Sequence, residues 1–191
     1  MVVLLETVEV KRNGKCGVVV REVPKRLNLS DLYGELSDEL GISKKVVALV
    51  LGTYIDVCIE NGKSGYSFYI SDEMKYNIKR KEVNEVVETD MVLPRTVFSK
   101  KTSLKTGVPI FTVQRIVDES IEMALYYGMY GCDVRYKGLF VVRGSSMGVA
   151  TGVKIERSTT FVRDIATSGY RCKLIVSSGL KEKLAKNLLA V

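Results

Sequence analysis

The sequence predicts an α+β fold of two units in tandem, each a helix-turn-helix pair followed by a β-hairpin, with a long β-arm and a C-terminal helix added to the second unit. Three observations carry this expectation. Apolar residues recur at helical i, i+3, i+4 spacing in three segments, and a fourth bounded by Pro94 and Gly107 completes two pairs with a glycine inside each pair. Period-two alternation follows each pair. The order of these signals in residues 1–90 recurs in residues 91–191, giving an N-terminal domain with a leading β-hairpin and no arm, and a C-terminal domain with the extended arm.

Taken in order, Leu5 to Val10 and Gly17 to Glu22 are β-rich runs around Arg12-Asn13-Gly14-Lys15, and Asn-Gly favours the tight turn of a hairpin. Leu29, Leu32, Tyr33, Leu36 and Leu40 then mark one helical face, with Asn28 as N-cap, Asp31 at the third position and Gly41 as terminator. Ser43 caps a second helix from Lys44 to about Asn61, striped by Val47, Leu51, Tyr54, Ile55 and Cys58 and ended by Asn61-Gly62. Tyr66, Phe68 and Ile70 alternate as a strand, and the charged residues 72–92 read as a connection between the units.

The second unit follows the same plan. Pro94 fits the first turn of a helix to Thr106, Gly107 breaks it, and Pro109 opens a longer helix with Val113, Ile116, Val117, Ser120, Ile121 and Ala124 inward, closed by Gly128. Cys132, Val134 and Tyr136 alternate as a strand, Gly138 turns, and Leu139 to Arg143 runs extended. Residues 144–160, rich in Gly, Ser, Thr and Val, read as a projecting hairpin; a strand from Lys173 to Val176 and a helix from Gly179 to Leu189, capped by Ser177, complete the plan.

Composition narrows the chemistry. With 46% hydrophobic and 27% charged residues in 191, the chain is an ordinary folded one rather than disordered or low-complexity. Histidine is absent, which removes the commonest general base and every His-based triad. Cys16, Cys58, Cys132 and Cys172 form no C-x-x-C pair, so no zinc or redox site is expected, and reduced thiols fit a cytoplasmic compartment. The apolar opening Met1 to Leu5 is broken by Glu6, Glu9, Lys11 and Arg12, too short for a signal or a membrane span. Gly144, Gly148 and Gly152 lack the Gly-Lys-Ser/Thr of a phosphate loop. Adjacent acids at Asp38-Glu39 and Asp118-Glu119 point about 100° apart on helices and read as solvated faces rather than an acid and base pair. Tyr126, Tyr127 and Tyr130 read as helix-end packing rather than a base-stacking platform. No catalytic residue, metal, cofactor or small-molecule substrate is expected, and the protein is read as non-enzymatic.

Charge is uneven. Residues 1–90 hold 13 Lys+Arg against 15 Asp+Glu, and residues 91–191 hold 16 against 7, so the net +7 lies entirely in the second half. That half is the one suited to a polyanion or an acidic protein surface.

Short stretches of sequence resemble the HU/IHF family of bacterial histone-like proteins. "LSDLYGELSDELGISKK", Leu29 to Lys45, is similar to that family's opening helix and turn; "YKGLFVVR", Tyr136 to Arg143, to its Gly-Phe-Gly-x-Phe-x-Val-Arg strand; and "LIVSSGLKEKL", Leu174 to Leu184, to its closing segment. The leading hairpin "VEVKRNGKCGVVVREV" makes the first unit resemble the longer HU-like proteins of Bacteroidetes and their phages. The resemblance implies paired arms that enter the DNA minor groove, with an Arg-Asn-Pro tip wedging between base steps. Here residues 144–172 contain no Pro, and the first unit lacks an arm.

Two functions therefore compete. The likeness to tandem HU-like proteins among the virion genes of crAss-like phages implies a structural subunit of a tailed-phage virion, a ring protein at the head-tail connector. It would assemble with further copies of itself and neighbouring virion proteins, its arm packing through Val149, Val153, Ile155 and Phe161. The alternative is low-specificity binding of double-stranded DNA through Arg143, Lys154, Arg157, Arg163, Arg171 and Lys173. Either reading places the protein in the virion or the host cytoplasm, neither secreted nor in a membrane.

Overall fold

The computed structural model describes residues 5–12, 15–22, 26–64, 66–72, 74–81, 86–88, 92–129, 132–136, 139–143, 154–157 and 170–176. Strands β1 (Leu5–Arg12) and β2 (Lys15–Glu22) pair antiparallel, with Arg12 opposite Lys15 across the Asn13-Gly14 connection. After β3 (Arg26–Asn28), one 3-10 turn (Leu29–Leu32) leads into α1 (Tyr33–Leu40), and the Asp31 carboxylate accepts from the Asn28 backbone N–H at 2.8 Å. Gly41 ends α1 at φ +66°, a conformation that costs a side-chain-bearing residue.

Helix α2 (Lys44–Lys63) is capped by the Ser43 hydroxyl and runs through Asn61-Gly62 instead of stopping there. The reason is local: Asn61 is buried and its amide donates to the Val57 carbonyl at 2.6 Å, so its side chain bonds within the helix. Strand β4 (Ser67–Ser71) buries Phe68 and Ile70 and exposes Tyr69. The stretch read as a connection contains β5 (Met74–Lys81), β6 (Val86–Glu88) and β7 (Val92–Leu93).

Helix α3 (Arg95–Thr106) starts after Pro94 and ends at Gly107, φ +73°. Helix α4 (Ile110–Met129) continues past Gly128, which is buried inside it. All six residues expected to face inward on α4 are buried. Strands β8 (Asp133–Tyr136), β9 (Phe140–Arg143), β10 (Lys154–Arg157) and β11 (Tyr170–Val176) follow.

One numerical relation organises these elements. Gly41 and Gly107 lie 66 positions apart, and the same offset carries Lys44 to Ile110, Ser67 to Asp133, Met74 to Phe140 and Arg26 to Val92. The two halves are thus one structural repeat without insertion from β3 to β5 and from β7 to β9. Their sheets are not separate. β3 pairs parallel with β8, Leu27 opposite Val134, while β7 pairs parallel with β4, Leu93 opposite Phe68, so each half lends its leading strand to the other in the same register. The resulting sheets are β10-β9-β8-β3 and β11-β5-β4-β7, with β6 also on β5. β11 adds a further exchange, since this strand of the second half pairs with β5 of the first.

Packing follows the same pseudo-two-fold. Phe98 of α3 lies against Phe68 at 4.9 Å and Tyr54 at 6.4 Å, both of the first half, within a continuous apolar core that spans Leu29 to Val142. Equivalent positions repeat buried hydrogen bonds: the Tyr54 hydroxyl donates to the Ile70 carbonyl at 2.7 Å, and the Tyr136 hydroxyl to Ser120 Oγ at 3.2 Å. Between halves, Lys101 Nζ donates to Asn61 Oδ1 at 3.0 Å, and the equivalent pair is Tyr127 donating to the Glu35 carboxylate at 2.8 Å. No helix among the described residues is long and apolar enough to cross a membrane.

Candidate functional site

Three surface features break the pseudo-two-fold, and they are where function is to be sought. The first surrounds Arg95. Its guanidinium donates to Asp72 and to Asp118 at 2.8 Å each and reaches the Gln114 carbonyl at 3.4 Å, tying the β4–β5 turn of one half to both helices of the other. The equivalent positions are Leu29, Gly138 and Gly52, which have no charge. A shallow cavity of about 210 Å³ opens beside it, lined also by Ser71, Ile121, Glu122 and Leu125.

Burial works to lower the Arg95 pKa, but the hydrogen bond and charge of Asp118 and the charge of Asp72 outweigh it and raise the value. Burial pushes Asp118 up, and Arg95 pulls it back only in part. Both terminal nitrogens of Arg95 are engaged, so the cluster serves as a tie between halves rather than as an anion receptor. Asp118, expected on a solvated face beside Glu119, keeps a side chain 44% exposed but is also paired with Arg95. Among the described residues no group of three or more His, Cys, Asp or Glu is placed to hold a metal ion, and Cys58 and Cys132 are buried, the Cys58 thiol with its pKa raised by burial.

The second feature is a strand pair rich in Lys and Arg. In the β5–β11 ladder Lys79 stands opposite Arg171, Asn77 opposite Lys173 and Lys75 opposite Ile175. Lys81 continues the same strand, and Met74, at its start, is buried. Tyr69 of β4 stands opposite Lys75, whose Nζ lies 5.9 Å from the ring centroid, and Glu88 of β6 is registered with Lys79 in the β5–β6 ladder. Sequence reading missed Lys75, Lys79 and Lys81 because it took residues 72–92 as a connection; the signal was the period-two run Lys75-x-Asn77-x-Lys79-x-Lys81.

The expected arm residues divide between two sheets. In the β9–β10 ladder Arg143 is registered with Lys154, Ile155 with Val142 and Arg157 with Phe140. Arg171 and Lys173 belong to the β5–β11 ladder. Val149, Val153, Phe161, Arg163 and the expected helix Gly179–Leu189 lie outside the described residues.

The third feature is an apolar corner where α3 meets α4. Leu104 is 77% and Phe111 76% exposed, with Ile110 beside Phe111 also exposed. The matching corner of the first half carries Asp38, Lys44 and Lys45. Of the tyrosines, Tyr127 is buried and bonded to Glu35, and the exposed Tyr126 meets it edge-on at 5.8 Å. Comparison of the chain with protein-family models, curated proteins and solved structures finds no match.

Proposed function

We propose that this protein is a non-enzymatic architectural subunit, two HU/IHF-like units fused in one chain and used as a structural protein of a tailed-phage virion at the head-tail ring. The observation that carries the reading is the exposed corner of Leu104, Ile110 and Phe111. Three large apolar side chains left exposed at the end of the basic α3 and the start of α4 favour a protein contact over a phosphate contact, because burying them rewards a partner with apolar surface of its own. The strand exchange between halves supports it: a pair locked inside one chain has given up the freedom to form its two-fold from separate subunits.

A second reading has its own observation. The ladder that sets Lys79 opposite Arg171 and Asn77 opposite Lys173, with Lys75 and Lys81 on the same strand, is rich in cations and suits a polyanion, and duplex DNA would meet it through phosphates without base readout. One titration separates the two. Binding to a random duplex is measured from about 50 to 300 mM salt while the mass is followed in the same buffers. A multimer with weak duplex binding is the expected result. Tight binding by a monomer, with affinity falling steeply as salt rises, overturns the virion reading in favour of DNA.

A further inference from the structure

The first helices of the two halves occupy equivalent places and carry opposite charge. From the 3-10 turn through α1 the charged residues are Asp31, Glu35, Asp38 and Glu39, with no Lys or Arg; α3 carries Arg95, Lys100, Lys101 and Lys105, with no acid. Glu35 and Arg95 are used in bonds between halves, while Asp31, whose carboxylate also caps the 3-10 turn, Asp38 and Glu39 are exposed on the first helix and Lys100, Lys101 and Lys105 on α3. Lys101 also reaches Asn61, and Lys105 reaches Glu60 at 3.7 Å, an exposed pair of little energetic weight. Leu104, Ile110 and Phe111 adjoin the basic face, and Leu49, 50% exposed on α2, lies in the helix pair of the acidic one. Lys44 and Lys45 at the start of α2, and Arg115 on α4, complete the charges around these corners.

We propose that the chain docks head to tail onto a second copy of itself, the basic, apolar face of α3 and the start of α4 on one copy meeting the acidic face of α1 on the next. A symmetric contact through α3 would set Lys100, Lys101 and Lys105 against themselves, and one through α1 would oppose three carboxylates. Only the unlike pairing brings opposite charges together while covering the apolar corner. Each chain that uses one face still presents the other, so the contact propagates into a ring or a filament according to its rotation. This inference rests on the architectural reading and names the partner of its apolar corner.

The test uses two charge-reversed forms of the full chain, Lys100→Glu with Lys105→Glu, and Asp38→Lys with Glu39→Lys. All four positions are exposed, and circular dichroism with a thermal midpoint checks that each variant folds. At low salt the parent is expected to form a multimer, each variant alone to fall to the 21.3 kDa monomer, and their equimolar mixture to assemble again, since each supplies the face the other has lost. A parent that stays monomeric at high concentration and low salt overturns the inference, as do variants that assemble unaided or a mixture of folded variants that does not. The architectural reading fails on a different observation, tight salt-sensitive duplex binding, so a monomer that ignores DNA removes the head-to-tail contact alone.

Discussion

Arg95 stands where the other half has Leu29, and it converts an apolar contact into a charged tie between halves. Its side chain is 9% exposed, whereas Asp72 is 80% and Asp118 44% exposed, so solvent screens much of the attraction. Arg95→Leu is expected to lower stability by about 1–3 kcal/mol, chiefly because Asp118 loses the partner that offsets its burial. Adding Asp118→Asn should recover part of that loss, and a urea double-mutant cycle measures the coupling. The buried phenols give a pH prediction. Burial raises Tyr54 and Tyr136 above the ordinary 10.0, and both donate hydrogen bonds that ionisation would remove. The folded state therefore keeps protons that the unfolded chain releases, and stability should hold through neutral pH and fall as pH rises above about 10. Urea midpoints across that range check it, and Tyr54→Phe should flatten the decline.

At the scale of elements, the two glycine turns and the strand exchange decide the architecture. Gly41 and Gly107 have positive φ, and a Cβ at either meets no atom within 4 Å, so the cost of alanine is backbone strain alone. Each Gly→Ala substitution should destabilise by about 1 kcal/mol, read from denaturant midpoints. β11 covers the edge of β5. A chain stopped after residue 169 should leave that edge open and show a lower thermal midpoint with concentration-dependent aggregation. The helices and the alternating strands Cys132–Tyr136 and Tyr66–Ile70 were legible because their periodicity reports burial of one face. Strand β5 was not, because its Lys-rich alternate positions look like a solvated connection when the Met74 face is not seen to pack.

From β3 to β9 the two halves share their sheets and their core. Leading strands cross between halves, Phe98 enters the first half's aromatic cluster, and polar bridges run from Lys101 to Asn61 and from Tyr127 to Glu35. Unfolding is expected to be a single transition, with near-ultraviolet and far-ultraviolet circular dichroism coinciding along a urea titration. Residues 91–191 expressed alone should fail to fold, because β8 then lacks β3 and Phe98 lacks Phe68 and Tyr54. Two separable transitions, or a folded isolated half, would show that the exchange adds little.

The places of the four helices, the stops at Gly41 and Gly107 and the inward stripes of α1, α2 and α4 were determined by the sequence itself, since local periodicity and backbone propensity act within a few residues. The same holds for the charge asymmetry that favours an interaction surface on the second half. Tertiary structure alone decided which strands exchange partners, that Arg95 joins Asp72 and Asp118, and that Lys79 faces Arg171. These pairings span tens of residues, and nothing in a local pattern encodes which distant partner a strand or a charge will meet.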